Sequence, residues 1–149
     1  MITTLASCSL TSDSLHPFCI RTFPISKNSL AIAINKLYST HPEYKPANKW
    51  MYEDTSMKKA YFFLESRSFY FKGEPEEMYF VTFLGDSTML ANPAKITIAI
   101  RSVNTGGPKW FDYAELSAIE RSRIEKRFDC EIISKLEAYT NTKAKKEDN

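Results

Sequence analysis

The chain is poor in the residues from which small-molecule chemistry is most often built. It has four glycines and no Walker or dinucleotide glycine pattern, so a phosphate-cradling loop has little to form from. The Gly106-Gly107 pair before Pro108 reads as a chain reversal. Histidine occurs twice, at His16 and His41, neither with a Cys, Asp or Glu partner at a metal-ligand spacing. No Gly-x-Ser-x-Gly turn presents a serine nucleophile, and Cys19 has only His16, a local neighbour beside Pro17, as a partner. No apolar run approaches the roughly 20 residues of a membrane span. Neither sign of charge dominates: the net charge of +2 leaves no electrostatic footprint for a polyanion. These scarcities lead us to expect no cofactor, no metal, no nucleic-acid partner and no enzymatic activity.

Aromatic residues are plentiful, with ten Phe, eight Tyr and two Trp. At 43% hydrophobic and 26% charged, the 149 residues have an ordinary globular composition, and their number fits one domain able to bury its own core. Residues 9–24 begin polar and carry Pro17 and Pro24, which reads as a tether and then an extended segment docked through Ile20 and Phe23. Ser26 is a good N-cap for a helix carrying Leu30, Ile34, Leu37 and Tyr38 at helical spacing; His41-Pro42 stops it. Residues 42–57 read as a loop anchored by Trp50 or Tyr52.

Strand signals follow. Tyr61–Leu64, Ser68–Lys72 and Met78–Leu84 are aromatic-rich runs, and Lys95–Val103 alternates, with Ile96, Ile98 and Ile100 opposing Thr97, Ala99 and Arg101. Glu74, Glu76 and Glu77 cluster at the Gly73-Pro75 turn and read as a solvated hairpin end. Asp112 and Glu115 form a capping-box pattern ahead of a long helix. Along it Ile124, Phe128, Ile132 and Leu136 recur at every fourth position, while Arg121, Arg123, Glu125, Lys126, Arg127 and Glu131 read as its solvated side. The fold expected is α+β: an N-terminal helix, an antiparallel meander of three to four strands, and a long C-terminal helix packed on one sheet face. Its bounds are residues 25–139, with 140–149 as a disordered tail.

One short motif speaks to location. Leu5-Ala6-Ser7-Cys8 resembles the lipobox of bacterial lipoproteins, an aliphatic residue and two small ones ahead of the cysteine that receives lipid. The resemblance covers these four residues and the polar stretch Ser9–Ser14 behind them. It implies that residues 1–8 are the remnant of a signal peptide and its lipobox, with the basic and apolar parts of the leader upstream of Met1. It also implies that Cys8 carries the palmitate-bearing anchor. An Asp after the lipidated cysteine favours inner-membrane retention in Gram-negative lipoproteins, so Ser9 implies the outer membrane, facing the periplasm. With Cys8 acylated, Cys19 and Cys130 are left over, and an oxidising envelope permits them to pair or to remain free thiols. A chance match would instead leave a cytoplasmic protein.

The sheet offers the clearest binding surface in the sequence. Alternation places aromatics on both faces of the middle strands, and one face must take the helices. Tyr61, Phe63, Tyr70, Tyr79 and Phe83 are the candidate residues of a partner-binding face. The expected function is therefore a lipid-anchored envelope module that binds a protein, in an immunity-type or assembly-accessory role. The rivals are a carrier of a small apolar ligand held between sheet and long helix, and an enzyme whose site the sequence does not reveal.

Overall fold

The structure is a computed structural model that describes residues 16–46 and 65–147. The expected strand Tyr61–Leu64, the anchors Trp50 and Tyr52, and Cys8 lie outside the described residues.

Strand β1 (Phe18–Phe23) opens the fold. Helix α1 (Lys27–Thr40) starts at Ser26, whose side chain accepts from the Ser29 amide, and stops at His41 ahead of a short 3-10 turn, Pro42–Tyr44. A hairpin follows, β2 (Ser66–Phe71) and β3 (Glu77–Leu84), then a one-turn helix α2 (Ser87–Leu90) and β4 (Ile96–Asn104). Two residues, β5 (Trp110–Phe111), pair with the end of β4. Helix α3 runs as Ala118–Phe128, passes through a π-helical turn at Asp129–Ile133 and continues as Ser134–Thr140. Strand β6 (Lys145–Lys146) closes the described chain.

The fold is α+β, with an antiparallel sheet in the order β2-β3-β4-β1-β6. The first three strands of this order, β2-β3-β4, are the expected meander. Strand β1 extends the sheet beyond β4, where the extended segment had been expected only to dock. The tail departs further from expectation. Asn141 turns the chain in the left-handed conformation, and Lys145 and Lys146 then pair with Thr22 and Arg21. Two backbone groups reinforce this return: the Ala144 amide donates to Glu137 Oε2 at 2.8 Å, and the Glu147 amide donates to the Ile20 carbonyl.

Helices α1 and α3 bury onto one face of the sheet. That face carries Phe69 and Phe71 from β2, Tyr79, Val81 and Phe83 from β3, and the three isoleucines of β4. A bulge in β1, between the pairs Phe18↔Ile100 and Arg21↔Ile98, adds one residue to the strand. Cys19 sits in it at φ +53°, and the extra residue lets both Phe18 and Cys19 join the core.

The π-helical turn in α3 has a reason in the spacing. A stripe at every fourth position outruns a helix of 3.6 residues per turn by about 0.4 residue each turn, or about one residue from Ile124 to Leu136. One π turn absorbs one residue. All four stripe residues are consequently fully buried. The helix also begins later than the Asp112 box suggests. Asp112 and Glu115 do form a capping box, but around a 3-10 turn, Tyr113–Glu115; a second box, Ser117 with Glu120, starts α3 itself.

Candidate functional site

The proposed aromatic face is divided by the sheet. Tyr79 and Phe83 point to the helices and are buried in the core, so they cannot meet a partner; Tyr61 and Phe63 lie outside the described residues. Tyr70 lies on the opposite face, where its hydroxyl donates to Glu76. Pleating explains the split: Tyr70 pairs with Met78, and Phe69 with Tyr79, so the tyrosines of β2 and β3 fall on different faces. The second face is closed over β3 and β4, where Met78, Phe80, Thr82, Ala99 and Ser102 are all buried. An open aromatic platform is therefore not what these strands offer.

Beneath α3 the structure gathers charge that the sequence had placed in solvent. Glu77 is 0% exposed. It is the first residue of β3, and alternation turns it to the same face as Tyr79. Arg127 Nη1 lies 2.9 Å from its Oε1, Arg123 Nη2 lies 2.7 Å from its Oε2, and the Tyr79 hydroxyl donates to Oε1 at 2.9 Å. Arg127 also donates to the Lys72 and Pro75 carbonyls and stacks 4.8 Å from the Phe71 ring centre. The expected solvated hairpin end is thus corrected: Glu74 is exposed, Glu76 binds Tyr70, and Glu77 is an interior anchor. These donors offset the desolvation cost of burying the carboxylate.

A second cluster lies under β1. Arg21, 3% exposed, grips Asp129 with Nε at 2.9 Å and Nη2 at 2.8 Å, and Nη2 reaches Glu125 at 2.9 Å. Lys146 of β6 adds a contact to Glu125 at 3.1 Å. Burial works against the charge on Glu125, but hydrogen bonds from Arg21 and Lys146 outweigh it and hold the carboxyl below its ordinary 4.5. Arg123, Glu125 and Arg127 therefore fasten α3 to the sheet. In both clusters the acid faces guanidinium groups already in place, an arrangement that locks packing and leaves no free base for proton transfer.

Cys19 and Cys130 are not bonded to one another: both are free thiols, Cys19 buried and Cys130 exposed. Cys130 lies on the π turn, outward from the stripe that α3 buries. Burial beside Glu125 pushes the Cys19 thiol up to about 12, the opposite of what a nucleophile needs.

His41 is 3.5 Å from Glu43, and His16 packs on Tyr113 with ring centres 5.1 Å apart. Phe18 meets the same ring at 5.6 Å, and the Arg121 guanidinium lies 3.8 Å from its centre while donating to the Tyr113 carbonyl. This stack marks where the described chain begins. Gly106 lies at φ +99° in a loop closed by Asn104, whose side chain accepts from the Gly106 amide and donates to the Gly107 carbonyl. The sequence signal for Glu77 was present but indirect: two arginines four residues apart, straddling the apolar stripe at Ile124 and Phe128.

The interior between sheet and helices is filled by rings. Phe71 and Tyr79 are 4.4 Å apart, and Phe128 lies 6.3 Å from Tyr79 and 6.4 Å from Phe69. Among the described residues no helix is long and apolar enough to cross a membrane. Comparison of the chain with protein-family models, with curated proteins and with solved structures gave no match.

Proposed function

We propose that this chain is a lipid-anchored protein of the bacterial envelope whose folded domain binds a protein partner and catalyses no reaction. The observation that carries the reading is the motif Leu5-Ala6-Ser7-Cys8, with seven residues between Cys8 and His16. A cysteine meant for lipid needs a spacer between the anchor and the domain, and Ser9–Ser14 supplies a polar one. Two structural features favour a binding module over its rivals. The space a carrier would keep for its ligand holds Phe69, Phe71, Tyr79 and Phe128. The acids beneath α3, buried Glu77 and half-buried Glu125 and Asp129, are paired with arginines. An immunity-type or assembly-accessory role suits such a domain.

The test is lipid incorporation in cells. The gene, with its own upstream DNA, is expressed in a Gram-negative host fed labelled palmitate. The label should enter the wild-type chain and not Cys8→Ser, and the protein should sediment with the outer membrane. An unlabelled chain in the soluble fraction would refute the reading.

A further inference from the structure

We infer that the end of the domain bearing Ile119 rests on the phospholipid surface, with the opposite end, bearing Met89, held away from it. The inference rests on the lipid anchor proposed above and adds an orientation to it. Its first support is the point where the chain enters the fold. Strand β1 runs antiparallel to β4, so the chain ahead of Phe18 comes from the side of Val103 and Asn104. There β5 takes the place beside β4, and His16 is deflected onto Tyr113. Tyr113 is in turn held by Arg121 in the second turn of α3. The entry point is therefore fixed beside the start of α3.

The second support is independent of the first. Ile119, in the first turn of α3 and two residues from Arg121, is 82% exposed, the most exposed of the large apolar side chains described. Met89, 53% exposed, lies in α2, which joins the end of β3 to the start of β4 at the far end of the strands. The third is reach. The eight Cα–Cα steps from Cys8 to His16 span at most about 28 Å, against a domain about 40 Å across by the usual size scaling. A lipid on Cys8 thus keeps the His16 end close to the bilayer whatever path those residues take. The charges around Ile119 offset one another, Glu115 and Glu120 against Lys109 and Arg121, with Lys109 and Glu115 paired at 2.7 Å. The contact is accordingly apolar and does not require anionic lipid.

The experiment supplies the lipid chemically, so it reads orientation whether or not cells acylate Cys8. The full chain with Cys130→Ser, its exposed competing thiol removed, is coupled through Cys8 to a maleimide lipid in phosphatidylcholine nanodiscs. A gadolinium-chelate lipid in the disc broadens nearby NMR signals. The Ile119 methyl and the Gly106 amide should lose intensity several-fold more than the Met89 methyl, and Ile119→Asp should shrink that difference. Equal loss at the three sites, or the greatest loss at Met89, overturns the orientation. A difference unchanged by Ile119→Asp overturns the contact assigned to Ile119. Absence of palmitate in the cellular experiment overturns the anchor, and is read separately.

Discussion

Replacing Glu77 with Ala should destabilise the fold by about 3 kcal/mol, at the low end of the 3–5 kcal/mol typical of breaking a buried ion pair from one side. Three groups lose an acceptor: Arg127, Arg123 and the Tyr79 hydroxyl. They do not lose equally. The Arg123 side chain is 37% exposed and rehydrates, so Arg123→Ala alone should cost no more than about 1 kcal/mol. The Arg127 side chain is 17% exposed and keeps the Lys72 and Pro75 carbonyls and Glu131, which is why the estimate sits at the low end. Tyr79 is buried and has no water to turn to, adding the cost of an unsatisfied hydroxyl, about 1–3 kcal/mol by itself. Arg127→Ala should resemble Glu77→Ala, and the double variant should cost well under the sum, with a coupling of about 1–3 kcal/mol. Urea unfolding followed by circular dichroism measures all four variants. Equal losses for Arg123→Ala and Arg127→Ala, or strict additivity of Glu77→Ala and Arg127→Ala, would refute the assignment of Glu77 as the interior anchor of α3.

Three further outcomes are expected. In the native protein Cys130 should react with a thiol reagent at once, and Cys19 about a thousandfold or more slower, because Cys19 must wait for the core to open; equal rates would place Cys19 at the surface. Stability should fall on both sides of neutrality. Burial raises Cys19 from 9.0 to about 12, and burial with the Glu131 hydrogen bond raises Tyr44 from 10.0 to about 12, so their contribution is complete below pH 9 and is lost as pH climbs from 9 to 12. Glu65, held below 4.5 by its hydrogen bond from Lys27, and Glu125, held there by Arg21 and Lys146 against the effect of burial, contribute above pH 4.5 and lose that contribution as pH drops beneath it; a melting temperature constant from pH 3 to 11 would contradict both. Deleting Cys130 should cost only about 1–3 kcal/mol, since the π turn absorbs one residue and a plain α-helix without it keeps Ile132, Ile133 and Leu136 facing the core, and Cys130→Ala should stay within about 0.5 kcal/mol; a loss of about 5 kcal/mol or more on deletion, read from thermal melts, would refute this account of the π turn.

Local signals carried into the structure best where a single element determined the outcome. The Ser26 cap, the alternation of β4 and the apolar stripe of α3 each record which side of one element faces the core, and each is where the pattern put it. Signals that depended on a distant partner were misread. The lysines near the C-terminus look solvated in isolation, yet Lys145 and Lys146 form an edge strand because Asn141 reverses the chain and Glu137 catches the Ala144 amide. Positive charge on such an edge also discourages a second sheet from adding to it. Asp112 is a true capping residue attached to a different helix, since two capping boxes have their N-caps five positions apart and only the second opens onto the apolar stripe.

The candidate site was the hardest part to read because the sheet sorts aromatic residues by parity and not by type. Tyr70 and Tyr79 look equivalent in sequence, but their strand positions pair them with residues of opposite facing, and only Tyr70 escapes the core. The same parity carried Glu77 inward. A carboxylate one residue nearer the turn, Glu76, remains at the surface with Tyr70, while Glu77 shares its face with Tyr79 and must be met by arginines. Charge on α3 thus serves the interior at Arg123, Glu125 and Arg127 and leaves Ile119, an apolar residue, to the surface. That inversion is what makes the start of α3 worth testing. The charges drawn beneath the helix lie further along it, at Arg123, Glu125 and Arg127, and at its start Ile119 stands exposed among charges that offset one another, an apolar residue suited to a lipid surface.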